Sequence, residues 1–203
     1  MRRTVVPGLL ESPEPSPITE RRRFEPPLTI GVVSDTHVYP HGARRLPPEV
    51  PDLFTRAGVG LILHAGDANT AAVLRALGVV APVLAVVGNN DDAALRAVLP
   101  DTVRFAVGRF AFVLLHGHQG GRTARAAARR YAGRVDGAIY GHSHIPAQEI
   151  EGGTLLFNPG SATDRRWQPH FGIGLIQVTE DRVVPDLILY DDPRHLANVR
   201  VDE

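Results

Sequence analysis

Apolar runs recur along the chain, and most of them stop at a short polar cluster. Leu28-Thr29-Ile30-Gly31-Val32-Val33-Ser34 reads as a buried strand that ends in Asp35. Gly60-Leu61-Ile62-Leu63-His64-Ala65 reads as a second, ending in Gly66-Asp67, and Val83-Leu84-Ala85-Val86-Val87 as a third, ending in Gly88-Asn89-Asn90-Asp91. Two strands at about 102–107 and 109–115 meet at Gly108 as a tight hairpin, and the second runs into His116-Gly117-His118. Gly137-Ala138-Ile139-Tyr140 ends in Gly141-His142-Ser143-His144, and Thr154 to Phe157 leads into Asn158-Pro159-Gly160-Ser161. The last strands are expected at about 172–178 and 183–190, with a turn at Glu180-Asp181. Helices are expected over 49–57, from an Asn69-Thr70 cap through Leu77, over 92–98 and over about 121–132. Alternating strands and helices of this kind predict an α/β fold.

Residues 1–28 show no hydrophobic period. They hold Pro7, Pro13, Pro15, Pro17, Pro26 and Pro27 around Arg21-Arg22-Arg23, and read as an extension outside the core. The domain proper is expected over 29–192, with a polar, peripheral tail over 193–203. The Arg triplet reads better as a solvated run than as a contact surface, although the arm is a candidate for self-association into a homo-oligomer. The chain has 203 residues and 43% hydrophobic content, which suits one sizeable folded core. Its 22 basic and 22 acidic residues balance, so bulk attraction to nucleic acid or an anionic membrane is not expected. Every basic residue is Arg, which fits an Ala-, Gly- and Pro-rich composition and excludes a lysine nucleophile or Schiff base. There is no cysteine, so a metal site must use His, Asp, Glu, Asn or backbone oxygen. The N-terminal apolar stretch is too short and broken for a signal-peptide core, and no run reaches membrane-span length, so a cytoplasmic protein is the default.

The polar clusters carry the chemistry. Asp35 and His37 follow the first strand, Asp67 the second, Asn89 the third, His116 a later one, and His142 with His144 another. Strand ends on one edge of a sheet converge, and ligand sites of α/β folds lie there. Seven oxygen- or imidazole-bearing side chains aimed at one edge are costly together unless divalent cations compensate them. In Asp35-Thr36-His37 and His142-Ser143-His144, residues separated by one are expected to point the same way along an extended strand end. A lone Asp-x-His or His-x-His is usually an ordinary loop. All five fragments in this order, each after a strand, are not.

The motifs Asp-x-His, Gly-Asp, Gly-Asn-x-Asp, His-x-His and Gly-His-x-His resemble the signature of the calcineurin-like metallophosphoesterase superfamily. Together with Asn158-Pro159-Gly160-Ser161 they resemble its small YfcE-like phosphodiesterase branch over about residues 29–190. The resemblance implies a four-layer α/β/β/α sandwich of two mixed sheets flanked by helices. It implies one metal held by Asp35, His37, Asp67 and His144 and a second by Asp67, Asn89, His116 and His142, with Asp67 shared. Dications about 3.5–4 Å apart repel, so a shared carboxylate is needed between them. Mixed oxygen and nitrogen ligands suit Mn²⁺, Fe or Zn²⁺ better than Mg²⁺ or Ca²⁺; the resemblance favours Mn²⁺, and Ni²⁺ is also compatible. The implied activity is phosphodiester hydrolysis of a small substrate, by a metal-bridging hydroxide attacking phosphorus in line with the leaving oxygen.

Asn90 stands where many superfamily members carry His. An amide donates a hydrogen bond but is a poor general acid, so good leaving groups should be preferred. His118 is a candidate for the missing donor, and Asp91 for orienting the metal loop, with a helix N-terminal carboxylate as its plainer reading. His64 fits a buried structural histidine better than a support for the metal. His41, Arg44 and Arg45 fit a solvated loop better than a cleft lining. Arg165, Arg166 and Trp167 suit either phosphate and base binding or a surface role; His170 and His195 carry no signal. Two other functions compete: a scaffold of this fold, as the retromer subunit looks to be, and a phosphomonoesterase or nuclease. A complete ligand set argues against the first. A short chain and balanced charge argue against long nucleic acids.

Overall fold

A computed structural model describes residues 22–119 and 123–201. The two sheets sit face to face because their central strands are apolar on both sides. One sheet has six strands: β1 (Arg23–Phe24), β5 (Thr102–Val107), β6 (Phe110–Leu115), β7 (Gly137–Ile139), β9 (Thr154–Asn158) and β8 (Ala147–Glu151), in that spatial order. The other orders β11 (Val183–Tyr190), β10 (Phe171–Val178), β2 (Leu28–Val33), β3 (Val59–His64) and β4 (Val83–Ala85). Both are mixed: β2, β3 and β4 run parallel, as do β6, β7 and β9, and antiparallel strands flank them.

Alternation sorts each strand's side chains into layers. Ile30 and Val32 of β2, and Leu61 and Leu63 of β3, pack inward against Phe105, Phe112, Leu114 and Phe157 of the facing sheet. Val33 and Ile62 turn outward beneath α1 (Glu49–Arg56) and α2 (Ala71–Leu77), where Val50, Leu53, Phe54, Val73 and Leu77 cover them. α3 (Ala93–Val98) adds Leu95 to this layer. On the far face, Val113, Ala138 and Leu156 meet Ala124, Ala127 and Ala128 of α4 (Ala124–Arg129). The result is the expected α/β/β/α sandwich of two mixed sheets. No helix among the described residues is long and apolar enough to cross a membrane.

Several expected boundaries move. Residues 1–21 lie outside the described residues, but Arg23–Phe24 pair with Ala106 and Val107, so the end of the supposed extension belongs to the sheet. The C-terminal segment is not peripheral. Pro193–Asn198 form a 3-10 helix capped by Asp192, Leu196 is fully buried, and Arg56 holds it by donating to the Leu196 and Val199 carbonyls. Its polar composition hid one apolar anchor. β8 was not expected either, because its face alternates between half-buried and exposed positions; the Gly152-Gly153 turn that pairs it with β9 is the signal that marks it. The helix expected over 121–132 covers only Ala124–Arg129, with 120–122 outside the described residues. Thr70 precedes α2 but does not cap it, because its hydroxyl donates to the Val38 carbonyl.

The inter-sheet layer is the main source of stability. Phe112 is fully buried and stacks on Phe105 with ring centroids 5.1 Å apart. Phe112→Ala should therefore cost about 3–5 kcal/mol in urea or thermal unfolding, while Val79→Ala at a position 87% exposed should change stability by under about 0.5 kcal/mol. Equal effects would contradict this placement of the core.

Candidate metal centre

Parallel pairing brings the first two ligand loops together. Beyond the ends of β2 and β3 the ladder continues, with Asp35 N–H donating to the Gly66 carbonyl and His37 N–H to the Asp67 carbonyl, both at 3.0 Å. Across the sandwich, β6 and β7 deliver His116 and the Gly141–His144 turn to the same edge. The extended strand ends expected for Asp-x-His and His-x-His are not what forms. Asp35, His37, His142 and His144 have φ of 52°, 44°, 67° and 57°, and Asp67 has 56°. Left-handed backbone at a non-glycine residue costs on the order of 1–3 kcal/mol and concentrates where side chains must be aimed. It aims Asp35 and His37 into one ligand group and divides His142 and His144 between two.

Two groups result. The ligand atoms of Asp35, His37 and His144 lie within 4.8 Å of one another, and so do those of Asp67, His116 and His142. The Nε2 atoms of His37 and His144 are 3.1 Å apart, and His144 Nε2 lies 3.5 Å from Asp35 Oδ1. Asp67 Oδ2 stands between the groups, 3.7 Å from His37 Nε2 and 3.4 Å from His116 Nε2. Exposed Asn89 joins the second group, with Oδ1 3.2 Å from His116 Nε2. The structure thus brings all seven candidate ligands to one edge.

The outer hydrogen bonds fix which imidazole nitrogens face inward. His116 Nδ1 donates to the Ala65 carbonyl at 2.7 Å, and His144 Nδ1 donates to the Asp164 carbonyl. His37 Nδ1 donates to Asn69 Oδ1 at 3.1 Å, the amide being oriented by its own donation to the Asn90 carbonyl. With the protons on Nδ1, the Nε2 lone pairs of neutral His37 and His144 point at each other, which is repulsive without a cation between them. Asp35 adds to this. Its Oδ2 accepts from Ser34 Oγ at 2.6 Å and His142 N–H at 2.9 Å, but its buried Oδ1 has no hydrogen-bond partner. An orphaned carboxylate oxygen beside two inward lone pairs fits a divalent ion.

The electrostatics agree. Burial pushes the Asp35 carboxyl up to about 7 against the lowering effect of His116. Burial also opposes ionisation of Asp67, but the His116 imidazole and two donors from Asn90 outweigh it and hold Asp67 well below the carboxylate range. Burial pushes His144 down to about 4 and lowers His37 and His142. These imidazoles are therefore neutral, the form that ligates. His116 is raised despite burial, because the Asp67 and Asp35 carboxylates lie beside it.

The other candidates fall into distinct places. Asn90 donates to Asp67 from both its backbone N–H and its amide, each at 2.7 Å. Asp91 does not cap a helix; Asp92 caps α3 through the Leu95 N–H. Asp91 is buried and accepts from Asn69 N–H and Gly88 N–H, both at 2.7 Å, tying two ligand loops together. His118 is half-buried, 5.2 Å from His116 and 6.2 Å from His142 between ring centroids, at the edge of a groove of about 340 Å³ shared with Gly88, Arg96 and Asp101. His64, pushed down to about 3 by burial, shares a hydrogen bond of 3.1 Å with Thr36, inside the first motif. Arg44 pairs with Asp164 at 3.1 Å, and Arg165 lies over the Phe171 ring.

Sequence reasoning missed how Asn158-Pro159-Gly160-Ser161 acts. The Asn158 amide donates to the Gly141 carbonyl and Ser143 Oγ, while Ser161 Oγ donates to the Asp35 carbonyl at 2.7 Å. One turn therefore fastens the first and last ligand loops, and only the position of these polar residues after an apolar strand hinted at it. Close approach explains two of the glycines. A Cβ at Gly88 would stand 2.1 Å from Asp67 Oδ1, and one at Gly141 would stand 2.0 Å from Ser34 Oγ.

Comparison with known proteins gives a consistent picture. A family model described as the calcineurin-like phosphoesterase superfamily domain matches residues 28–181. A protein of Methanothermobacter thermautotrophicus named as a probable metallophosphoesterase is 40% identical over 142 residues, 67% of this chain and 78% of that one. Wild-type Vps29 of Entamoeba histolytica, solved with Zn²⁺, superposes with a TM-score of 0.64 at 25% identity, covering 81% of this chain and 100% of that one. The E. coli phosphoesterase YfcE shares the fold with a TM-score of 0.54 at 21% identity, over 79% of this chain and 98% of that one.

Asp91 supplies a direct test of how the loops are held. Asp91→Ala removes two charge-assisted acceptors from buried N–H groups and should destabilise the metal-free protein by roughly 2–4 kcal/mol in thermal or urea unfolding. It should also weaken metal binding about 10- to 100-fold in a competition titration. Unchanged metal affinity would show that the loops are positioned without it.

Proposed function

This chain belongs to the calcineurin-like phosphoesterase superfamily, and from that premise we propose that it is a dinuclear metal-dependent phosphodiesterase. The observation that carries the reading is the position of Asp67, one carboxylate oxygen within 3.7 Å of His37 Nε2 and 3.4 Å of His116 Nε2. Asp35, His37, Asp67 and His144 would hold one ion and Asp67, Asn89, His116 and His142 the other. The mix of carboxylate, amide and imidazole suits Mn²⁺, Fe, Zn²⁺ or Ni²⁺, and the family resemblance favours Mn²⁺ among them. Bound there, the ions would supply an activated water at neutral pH and offset the charge on the phosphoryl oxygens.

The chain's own residues decide the rest. Five neutral or polar ligands against two carboxylates leave such a centre net positive, which draws an anionic phosphate. Asp91 keeps the Asn69 and Gly88 loops in register. Asn90 donates to the shared carboxylate, and as an amide it offers little acid catalysis to a departing alkoxide. His118, beside the groove with its ring centroid 5.2 Å from that of His116, lies outside the ligand set and is assigned to the leaving-group side. A full set of seven side chains favours a hydrolase over a scaffold of the same fold.

The test is hydrolysis with added Mn²⁺ of an aryl phosphodiester, an alkyl phosphodiester and an aryl monoester. Diester cleavage, faster for the aryl leaving group, is expected, and Asp67→Asn should lower it by about 10³-fold or more. Asn90→His should narrow the gap between aryl and alkyl leaving groups. Cleavage of the monoester alone would overturn the diester assignment, and full activity of Asp67→Asn would overturn the site.

A further inference from the structure

The loop that follows Ser161 is fastened to the metal centre but is not used by it. The Asp164 carbonyl accepts from His144, the Asp164 N–H donates to Ser161 Oγ, and Thr163 Oγ1 donates to the Thr36 carbonyl. Arg166 is therefore only two residues beyond a direct contact with a ligand. It is exposed, and its φ is 50°, the sole left-handed non-glycine residue of the described chain outside the ligand loops. Left-handed backbone is unusual for a long side chain and needs a reason.

The surrounding arginines are engaged. Arg44 pairs with Asp164, Arg45 donates to the Gly42 and Arg44 carbonyls, and Arg165 donates to the Pro169 carbonyl and lies over Phe171. Arg166 has neither an ion pair nor a hydrogen bond among the described residues. A guanidinium without a partner, two residues beyond the Asp164–His144 contact, is available to pair with an anion. Next to it stands Trp167, 96% exposed, the largest apolar side chain on the surface and the only tryptophan of the chain. Tyr39 and Ile145, 48% and 52% exposed, each lie within two residues of a ligand histidine.

We propose that Arg166 and Trp167 form a recognition site for nucleoside phosphates, the guanidinium pairing with phosphoryl oxygens at the metal centre and the indole stacking on the base. This rests on the phosphodiesterase reading and names its substrate class: a small diester with a nucleoside substituent. A bidentate guanidinium and an open indole face suit these two parts of one ligand.

The single tryptophan makes the test direct. Mn²⁺-loaded protein is titrated with adenosine 5′-monophosphate, ribose 5-phosphate and inorganic phosphate while Trp167 emission is followed. The adenosine compound should quench it saturably, with an affinity about 10-fold above that of ribose 5-phosphate measured by competition. Arg166→Ala, an exposed change that leaves the fold intact by circular dichroism, should weaken adenosine 5′-monophosphate about 10-fold. No quenching, or equal affinity for the two sugar phosphates, would overturn the proposal. Quenching in a protein that cleaves no diester would support this site while removing the phosphodiesterase reading; diester cleavage without quenching would do the reverse.

Discussion

Two imidazole lone pairs 3.1 Å apart, next to a buried carboxylate oxygen with no hydrogen-bond partner, form an arrangement that a protein does not keep without compensation. Hydrogen bonds cannot supply it, since each imidazole has already spent its proton on an outer carbonyl or amide oxygen. A cation can. The rest of the structure makes sense as a frame for that requirement, and the group of Asp67, His116 and His142, joined by Asn89, stands beside it.

The frame is built from ordinary packing. Two apolar sheets bury Ile30, Leu63, Phe112 and Phe157 between them, and parallel pairing sets the strand ends at a common height. That rigidity allows five ligand residues to keep left-handed backbone, a local cost of roughly 1–3 kcal/mol each that surrounding structure must offset. Offsetting contacts are visible. Asp91 spans two loops, Ser161 reaches the Asp35 carbonyl, and Asn158 holds the last histidine turn.

The β2 and β3 strands were legible because a strand buried on both faces reads as an apolar run, and the ligand candidates because they sit where such runs stop. β8 was not, since Ala147-Gln148-Glu149-Ile150-Glu151 has one face in water and no apolar stripe. The buried role of Leu196 was hidden in a polar tail, because a single anchor leaves no period. The aim of Asp35 and His37 was read correctly as convergence but wrongly as extended backbone; φ is not written in residue spacing, although Asp, Asn and His are the residue types that tolerate the left-handed region. The links from Asp91 to Asn69 and from Ser161 to Asp35 join positions far apart in sequence, so only three dimensions reveal them.

The account stands on a pair of cations sharing Asp67. Crystals grown with Mn²⁺ and measured at a wavelength where manganese scatters anomalously test this most directly. Two strong anomalous peaks are expected, one among Asp35, His37 and His144 and one among Asn89, His116 and His142, with Asp67 touching both. A single peak, or none at this edge of the sheets, would contradict it.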